Sequence, residues 1–149
     1  MKKILQTIED TQAFAKEIAA SLKGGEVLAL VGDLGAGKTT FTQLLCKELG
    51  VTAIVNSPTF VVMKEYEAAY EKIKHVIHMD AYRITNNEQM FELGLDRHIS
   101  QKNSLVIIEW ADKVKEYLDG LENVVWVEFR VDGDIRNVEY RMWNVENGK

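Results

Sequence analysis

Between Asp10 and Leu22 apolar residues recur every four positions, at Phe14, Ile18 and Leu22, with Ala15 and Ala19 beside them. That spacing predicts an amphipathic helix, which Gly24-Gly25 ends. Glu26 to Val31 is instead a short apolar run that meets Gly32, the pattern of a buried strand entering a tight loop. A second helix is predicted from about Lys38 to Leu49, where Gly50 stops it. Phe60 to Tyr66, Val76 to Asp80 and Leu105 to Trp110 are short and rich in β-branched or aromatic residues and predict strands, with helical segments in the intervals. Val124 to Val131 and Asn137 to Trp143 flank Asp132-Gly133-Asp134, whose glycine accepts positive φ, so a closing antiparallel hairpin is expected. Strand-helix order favours parallel pairing early in the chain and the hairpins add antiparallel strands, which gives an α/β fold with a mixed sheet.

Composition narrows the class. With 149 residues, 46% hydrophobic and 28% charged, the chain has the balance of one soluble core, and a single domain over residues 1–149 is expected. No apolar run approaches the roughly 20 residues that cross a bilayer. The start, Met1 to Gln6, lacks the apolar stretch of a secretory signal, so the expected location is cytoplasmic, with no membrane partner. A formal net charge of -5 disfavours strong solitary binding to nucleic acid, which needs a basic face. Lys72 with Lys74 and Lys113 with Lys115 read as solvated surface. Cys46 is the only cysteine and reads as a small buried hydrophobe. His75, His78 and His98 form no metal-ligand pattern with it, and His75 and His78 fall on opposite faces of a strand. Trp110, Trp126, Trp143 and Tyr66 read as core or partner contacts rather than base-stacking platforms.

The chemistry concentrates in Gly32-Asp33-Leu34-Gly35-Ala36-Gly37-Lys38-Thr39, which fits G-x-x-x-x-G-K-[ST] after a predicted strand and before a predicted helix. Glycines lacking Cβ let the main chain curl and turn several N-H groups toward one anion, and the helix N-terminus adds partial positive charge. Gly35, Ala36 and Gly37 would form the cradle. Lys38 would reach the β and γ phosphates, the Thr39 hydroxyl would serve Mg²⁺, and Thr40 would touch the α-phosphate. The expected ligand is therefore ATP with Mg²⁺. A glycine-rich turn without a ligand is the alternative, but three glycines cost backbone entropy and have no stabilising purpose of their own.

Hydrolysis also needs an acid that fixes the metal's water shell and a group that orients water. Leu105 to Glu109 is an apolar strand ending in a carboxylate, a Walker B form with Glu for the commoner Asp, and Val76 to Asp80 ends likewise. Both acids would face the nucleotide if their strands run parallel to the first; each could equally be an acid that merely caps the following helix. Asn56-Ser57-Pro58-Thr59 lies where P-loop proteins place a γ-phosphate sensor, and it also reads as a plain turn in which Pro58 fixes φ.

Taken together, Gly32 to Phe41, Asn56-Ser57-Pro58-Thr59-Phe60, His78-Met79-Asp80-Ala81-Tyr82-Arg83, Glu92-Leu93-Gly94-Leu95 and Ile108-Glu109-Trp110 resemble the bacterial TsaE family in order and spacing over nearly the whole chain. The resemblance implies a P-loop NTPase fold, three layers α/β/α with a mostly parallel mixed sheet. It implies a slow, partner-dependent Mg-ATPase within the machinery that makes threonylcarbamoyl-adenosine in transfer RNA. TsaB and TsaD would be the partners that transfer the group, using an adenylate made by TsaC, and tRNA would be engaged only indirectly. On the same resemblance Thr59 is a switch residue, Asp80 assists hydrolysis, Glu109 holds the Mg²⁺ water shell, Thr11 lies against the adenine and Arg136 approaches the nucleotide. Trp110 matches the family's aromatic after the Walker B acid.

Three rivals follow from the motifs. A small-molecule P-loop kinase would need several basic residues to clamp a second phosphate, and no arginine-rich lid is present. A GTPase would carry an Asn-Lys-x-Asp guanine reader, which is missing. A module that binds nucleotide without cleaving it is the third.

Overall fold

A computed structural model describes residues 1–56, 63–99 and 101–141. The first helix, α1 (Ile8–Ser21), begins two residues before the apolar repeat because Thr7 closes a capping box there. The Thr7 hydroxyl accepts from the Asp10 amide at 3.1 Å, and the Asp10 carboxylate accepts from the Thr7 amide at 3.1 Å. Upstream lies β1 (Lys2–Leu5), and downstream come β2 (Val27–Val31) and α2 (Lys38–Glu48). The order then runs β3 (Met63–Glu67), β4 (His75–Asp80), α3 (Asn87–Glu92), α4 (Leu95–Ile99) and β5 (Ser104–Glu109). A 3-10 turn (Ala111–Val114), α5 (Lys115–Asp119), β6 (Val124–Asp132) and β7 (Ile135–Arg141) complete it.

Among the described residues, seven strands share one sheet in the order β1-β7-β6-β2-β5-β4-β3. Neighbours within β6-β2-β5-β4 pair parallel. Antiparallel β7 and β1 extend one edge, and β3 closes the other. Gly133 and Asp134 form the two-residue loop of the expected terminal hairpin, since Asp132 pairs with Ile135 and Gly133 has a φ of 63°.

Two expectations change. The edge strand β1 was not foreseen: only Leu5 in it is buried, so no alternation marks it, and it exists by pairing with β7. Residues 68–74 are not a helix, because β3 and β4 are antiparallel neighbours joined by a tight turn that the Ala68 amide closes onto the Lys74 carbonyl at 2.9 Å. Of the strand expected over residues 60–66, the described part starts at Met63.

The sheet is covered on both faces, which makes three layers. On one face α1 and α2 bury Phe14, Ile18, Phe41 and Leu45 against Leu28, Leu30, Val127 and Phe129. On the other, Met90, Leu95, Val114 and Leu118 cover Ala29, Ile77, Met79 and Ile108. Phe14, Phe41 and Phe129 form a chain of ring contacts at 5.2 and 5.6 Å that ties the start of α2 to β6. Each fully buried ring is worth about 1.5–3 kcal/mol in transfer terms, so the loop before α2 is anchored from beneath. Cys46 sits in this layer with no exposure, and burial pushes its thiol up to about 12. Among the described residues no helix is long and apolar enough to cross a membrane.

Candidate functional site

Strand β2 lies between β6 and β5 with its carboxyl end feeding residues 32–37, and α2 rises from that loop. Ligands in open α/β sheets sit at such a point, beyond the carboxyl ends of parallel strands. The local backbone follows from the glycines. Gly37 is the N-cap of α2 with a left-handed φ of 109° and provides no side-chain cap, so the first amides of the helix keep their donors facing outward. Gly32 is required by close approach: a Cβ there would stand 2.7 Å from the Phe129 carbonyl oxygen of β6. The loop also carries a turn from the Ala36 amide to the Asp33 carbonyl at 3.0 Å.

Lys38 is only 5% exposed. Its ammonium donates to the Gly32 carbonyl and, at 3.0 Å, to the Asp33 carbonyl, and it stands 4.3 Å from the centre of the Trp110 ring. Burial lowers its pKa, and the carboxylates of Glu109, Asp33, Asp112 and Asp80 oppose that shift. Trp110 has a left-handed backbone, φ 58° and ψ 40°, rare for an aromatic residue and of the kind that collects at functional sites. Its ring meets Tyr82 edge-on at 5.0 Å.

The two strand-end acids stand side by side, because Asp80 of β4 and Glu109 of β5 are register partners. Glu109 is 2% exposed and makes two bonds: Oε1 accepts from the Thr39 hydroxyl at 3.1 Å and Oε2 contacts His78 Nε2 at 2.5 Å. It therefore reaches across to α2 and does not cap the 3-10 turn that follows. Asp80 does not cap the helix that follows, α3, whose N-cap is Asn86; its carboxylate accepts from the Tyr82 amide at 2.8 Å and lines the cleft.

That cleft has a volume of about 610 Å³ and is lined by Gly35, Gly37, Lys38, Thr39 and Thr40 from the loop and helix. Asp80, Glu109 and Arg136 line it too, together with Leu34, Tyr82 and Trp110. A smaller cavity of about 130 Å³ abuts it, bounded by Thr7, Thr11, Ala36 and Phe129 and sharing Gly37, Thr40 and Arg136 with the larger one. Thus Thr11 and Ala36 border the smaller space only, and Arg136, on β7 opposite Leu5 and Val131, bridges the two. Thr59 lies outside the described residues.

Sequence reasoning missed His78, Tyr82 and Phe129 as parts of the site; Trp110, expected as a core or partner contact, does pack against the core and lines the cleft as well. The parity of β4, with His78 and Asp80 two apart on one face, was the available signal. Trp126 does pack against the core, half-buried, and Tyr66 is buried.

The donor set is hard and anionic-ligand-seeking at once. Outward amides and an ammonium suit a polyphosphate, and a hydroxyl 3.1 Å from a buried carboxylate oxygen suits Mg²⁺. The residues therefore fit Mg-ATP. A strand, glycine loop and helix at the centre of a parallel sheet, with an acid ending the next strand, define a protein of the P-loop NTPase class.

Comparison with known proteins carries the assignment further. The family model described as threonylcarbamoyl adenosine biosynthesis protein TsaE matches residues 5–138. A tRNA threonylcarbamoyladenosine biosynthesis protein TsaE of Bacillus subtilis is 46% identical over 110 residues, which is 74% of this chain and 66% of that protein, just under two thirds of its length. Proteins of the same description from Aquifex aeolicus and Rickettsia bellii are 40% and 38% identical over 75% and 77% of this chain, covering 77% of each. A crystal structure of Bacillus subtilis YdiB matches with a TM-score of 0.77 at 34% identity, over 98% of this chain and 87% of that one. The chain belongs to the TsaE family.

Proposed function

We propose that this chain is the ATP-binding and slowly hydrolysing component of the machinery that makes threonylcarbamoyl-adenosine in transfer RNA. It acts in the cytoplasm with TsaB and TsaD and does not transfer the group itself. Membership of the TsaE family supports the process, and one observation carries the chemistry: Lys38, Thr39 and Glu109 converge on one cleft beneath the glycine loop. The sharing of one sheet by all seven strands supports reading residues 1–149 as one ATPase domain.

In this reading the amides of Gly35, Ala36 and Gly37 bind the phosphates and Lys38 neutralises their charge. Thr39 and Glu109 would hold Mg²⁺, the hydroxyl directly and the carboxylate through the water shell, while Thr40 takes the α-phosphate. Bound Mg-ATP supplies the anhydride bond to be cleaved and the divalent charge that offsets its oxygens. Asp80, beside Glu109, assists hydrolysis by orienting water. The smaller cavity receives the base side, with Thr11 on its wall and Arg136 between base and phosphates. Thr59 serves as the γ-phosphate switch.

Calorimetric titration with Mg-ATP, followed by phosphate release with and without TsaB and TsaD, tests the proposal. Uptake is expected in the isolated chain, with slow release that the partners change. Lys38→Ala should weaken uptake by about 10–100-fold, the worth of one charged hydrogen-bond partner. No uptake in any mixture would overturn the proposal. Phosphorylated acceptor without free phosphate would replace it with a small-molecule kinase.

A further inference from the structure

Among the described residues, His78 is the one buried ionisable side chain beside the cleft that the proposed chemistry leaves without a task. It has no exposed surface, and its ring stands beneath Glu109 rather than in the cleft itself. Strands β4 and β5 run parallel with His78 opposite Ile107 and Asp80 opposite Glu109, so His78 and Glu109 are diagonal neighbours on one sheet face. That is the face against which α2 packs. The Glu109 side chain spans between two bonds, from the Thr39 hydroxyl at 3.1 Å on the helix to His78 Nε2 at 2.5 Å on the strand. An ionised carboxylate only accepts, and so Nε2 carries the proton in this bond.

Packing does not account for the histidine. Nδ1 is buried with no partner among the described residues, so the ring leaves a polar atom unsatisfied that an apolar side chain would not bring. The neighbouring same-face positions Val76, Leu105 and Ile107 are all apolar and fully buried. The one bond this buried ring makes runs from Nε2 to Glu109 Oε2.

We propose that His78 is a positioning residue: its Nε2-H anchors Glu109 Oε2 and so keeps Oε1 turned toward the Thr39 hydroxyl, which sets the affinity of the site for a divalent cation. The inference rests on the reading that Thr39 and Glu109 hold the metal. Without the anchor the carboxylate can rotate away from Thr39, and removing such an outer partner of a ligand typically costs about 10–100-fold in metal affinity.

Three variants test it. The amide nitrogen of Gln reaches the position of Nε2, so His78→Gln should retain the anchor. Asn is too short for that position, and Leu has no donor, so His78→Asn and His78→Leu should lose it. Each is checked for folding by thermal melting, and Mn²⁺ binding to the protein saturated with ADP is read by paramagnetic resonance. Expected is Mn²⁺ affinity at least about tenfold weaker in His78→Leu and His78→Asn, with His78→Gln within about threefold of the parent. Metal-free ADP affinity should stay unchanged in all three. If His78→Leu does not fold, Asn against Gln decides. Nitrogen-15 spectra of the ligand-free parent should place the ring proton on Nε2. A proton on Nδ1, folded Leu or Asn variants with parental Mn²⁺ affinity, or Gln no better than Asn would each overturn the proposal. Glu109→Gln separates the two layers of the argument: parental Mn²⁺ affinity there removes the metal-ligand reading and this inference with it, whereas weakened affinity there beside an unaffected His78→Leu removes this inference alone.

Discussion

Replacing Gly32 by alanine should damage the protein more than any other glycine-to-alanine change in the phosphate loop, and the structure says by how much. Gly32 has a φ of 153°, and an added methyl would lie 2.7 Å from the Phe129 carbonyl oxygen and 3.1 Å from the Phe129 Cβ. Both atoms belong to β6, which is hydrogen-bonded to β2 in register up to Val31 opposite Glu128, so the obstacle is main chain that cannot swing aside. Overpacking of this kind costs about 1–3 kcal/mol. Backbone strain adds about 1–3 kcal/mol. The less flexible unfolded chain returns about 0.4–1 kcal/mol. The net is a loss of about 3 kcal/mol, or about 6–12 °C in melting temperature for a chain of this size. Gly35→Ala is the control: its φ is 80°, but nothing among the described residues lies within 4 Å of the added methyl. Only the left-handed cost of about 1–2 kcal/mol applies, offset by about 0.4–1 kcal/mol in the unfolded chain, so the net of about 0.8 kcal/mol should lower the melting point by about 2–3 °C. Thermal unfolding followed by tryptophan fluorescence, with no nucleotide present, measures both. A Gly32→Ala protein that melts within about 2 °C of the parent, or a Gly35→Ala protein that falls as far as Gly32→Ala, would refute the claim that β6 pins the loop.

Asp80→Ala should bind Mg-ATP within a few-fold of the parent and lose most phosphate release, the opposite split from Lys38→Ala; equal turnover in all three proteins would dismiss the site assignment. Arg136→Ala should weaken nucleotide uptake by about 10-fold without altering the melting point, because its exposed side chain borders both cavities and contributes little to packing; a calorimetric titration decides. Burial raises the Cys46 thiol to about 12, so folded protein at pH 8 should resist thiol reagents that label the urea-unfolded chain within minutes, and rapid labelling of the native state would contradict the burial. The same raised pKa has a sign: the neutral thiol's contribution to stability is complete below the unfolded value near 9 and is lost as pH rises from there toward about 12. Alkaline denaturation should therefore begin later in Cys46→Ala than in the parent once their neutral-pH stabilities are matched.

The glycine loop was legible because its chemistry is contiguous: one stretch of eight residues, Gly32 to Thr39, contains the anion donors, the cation and the hydroxyl, and local rules suffice for it. The α1 boundary was nearly so, since Thr7 followed three residues later by Asp10 is a capping signal that the apolar repeat alone passes over. What the sequence withheld is what depends on neighbouring strands. Nothing near His78 says that β5 lies beside β4 with Glu109 one pair ahead of it, and the bond between them follows only from that register. That Trp110, packed against the core as expected, also reaches the cleft was hidden for a related reason. An aromatic after an apolar strand continues the pattern of burial, and the left-handed turn that swings its ring over Lys38 is imposed by the fold rather than written in residue type.

The strand-end acids show most clearly why spacing could not decide their roles. Neither acid caps the helix that follows it, and each carboxylate lines the cleft while its oxygens bond elsewhere. Asp80 gives Oδ1 to the Tyr82 amide, a local bond that fixes the side chain's direction, and lines the cleft as well. Glu109, one methylene longer, spans from strand to helix and links His78 to Thr39. The extra methylene explains why Glu, rather than the commoner Asp, ends β5: an aspartate in the same backbone would be too short to keep both partners. Glu109→Asp should consequently keep the fold, since the residue stays buried and anionic, yet release either Thr39 or His78. Its Mn²⁺ affinity with ADP bound should match that of His78→Leu, about tenfold below the parent. A Glu109→Asp protein with parental metal affinity would show that the span between β4 and α2 is not what sets it.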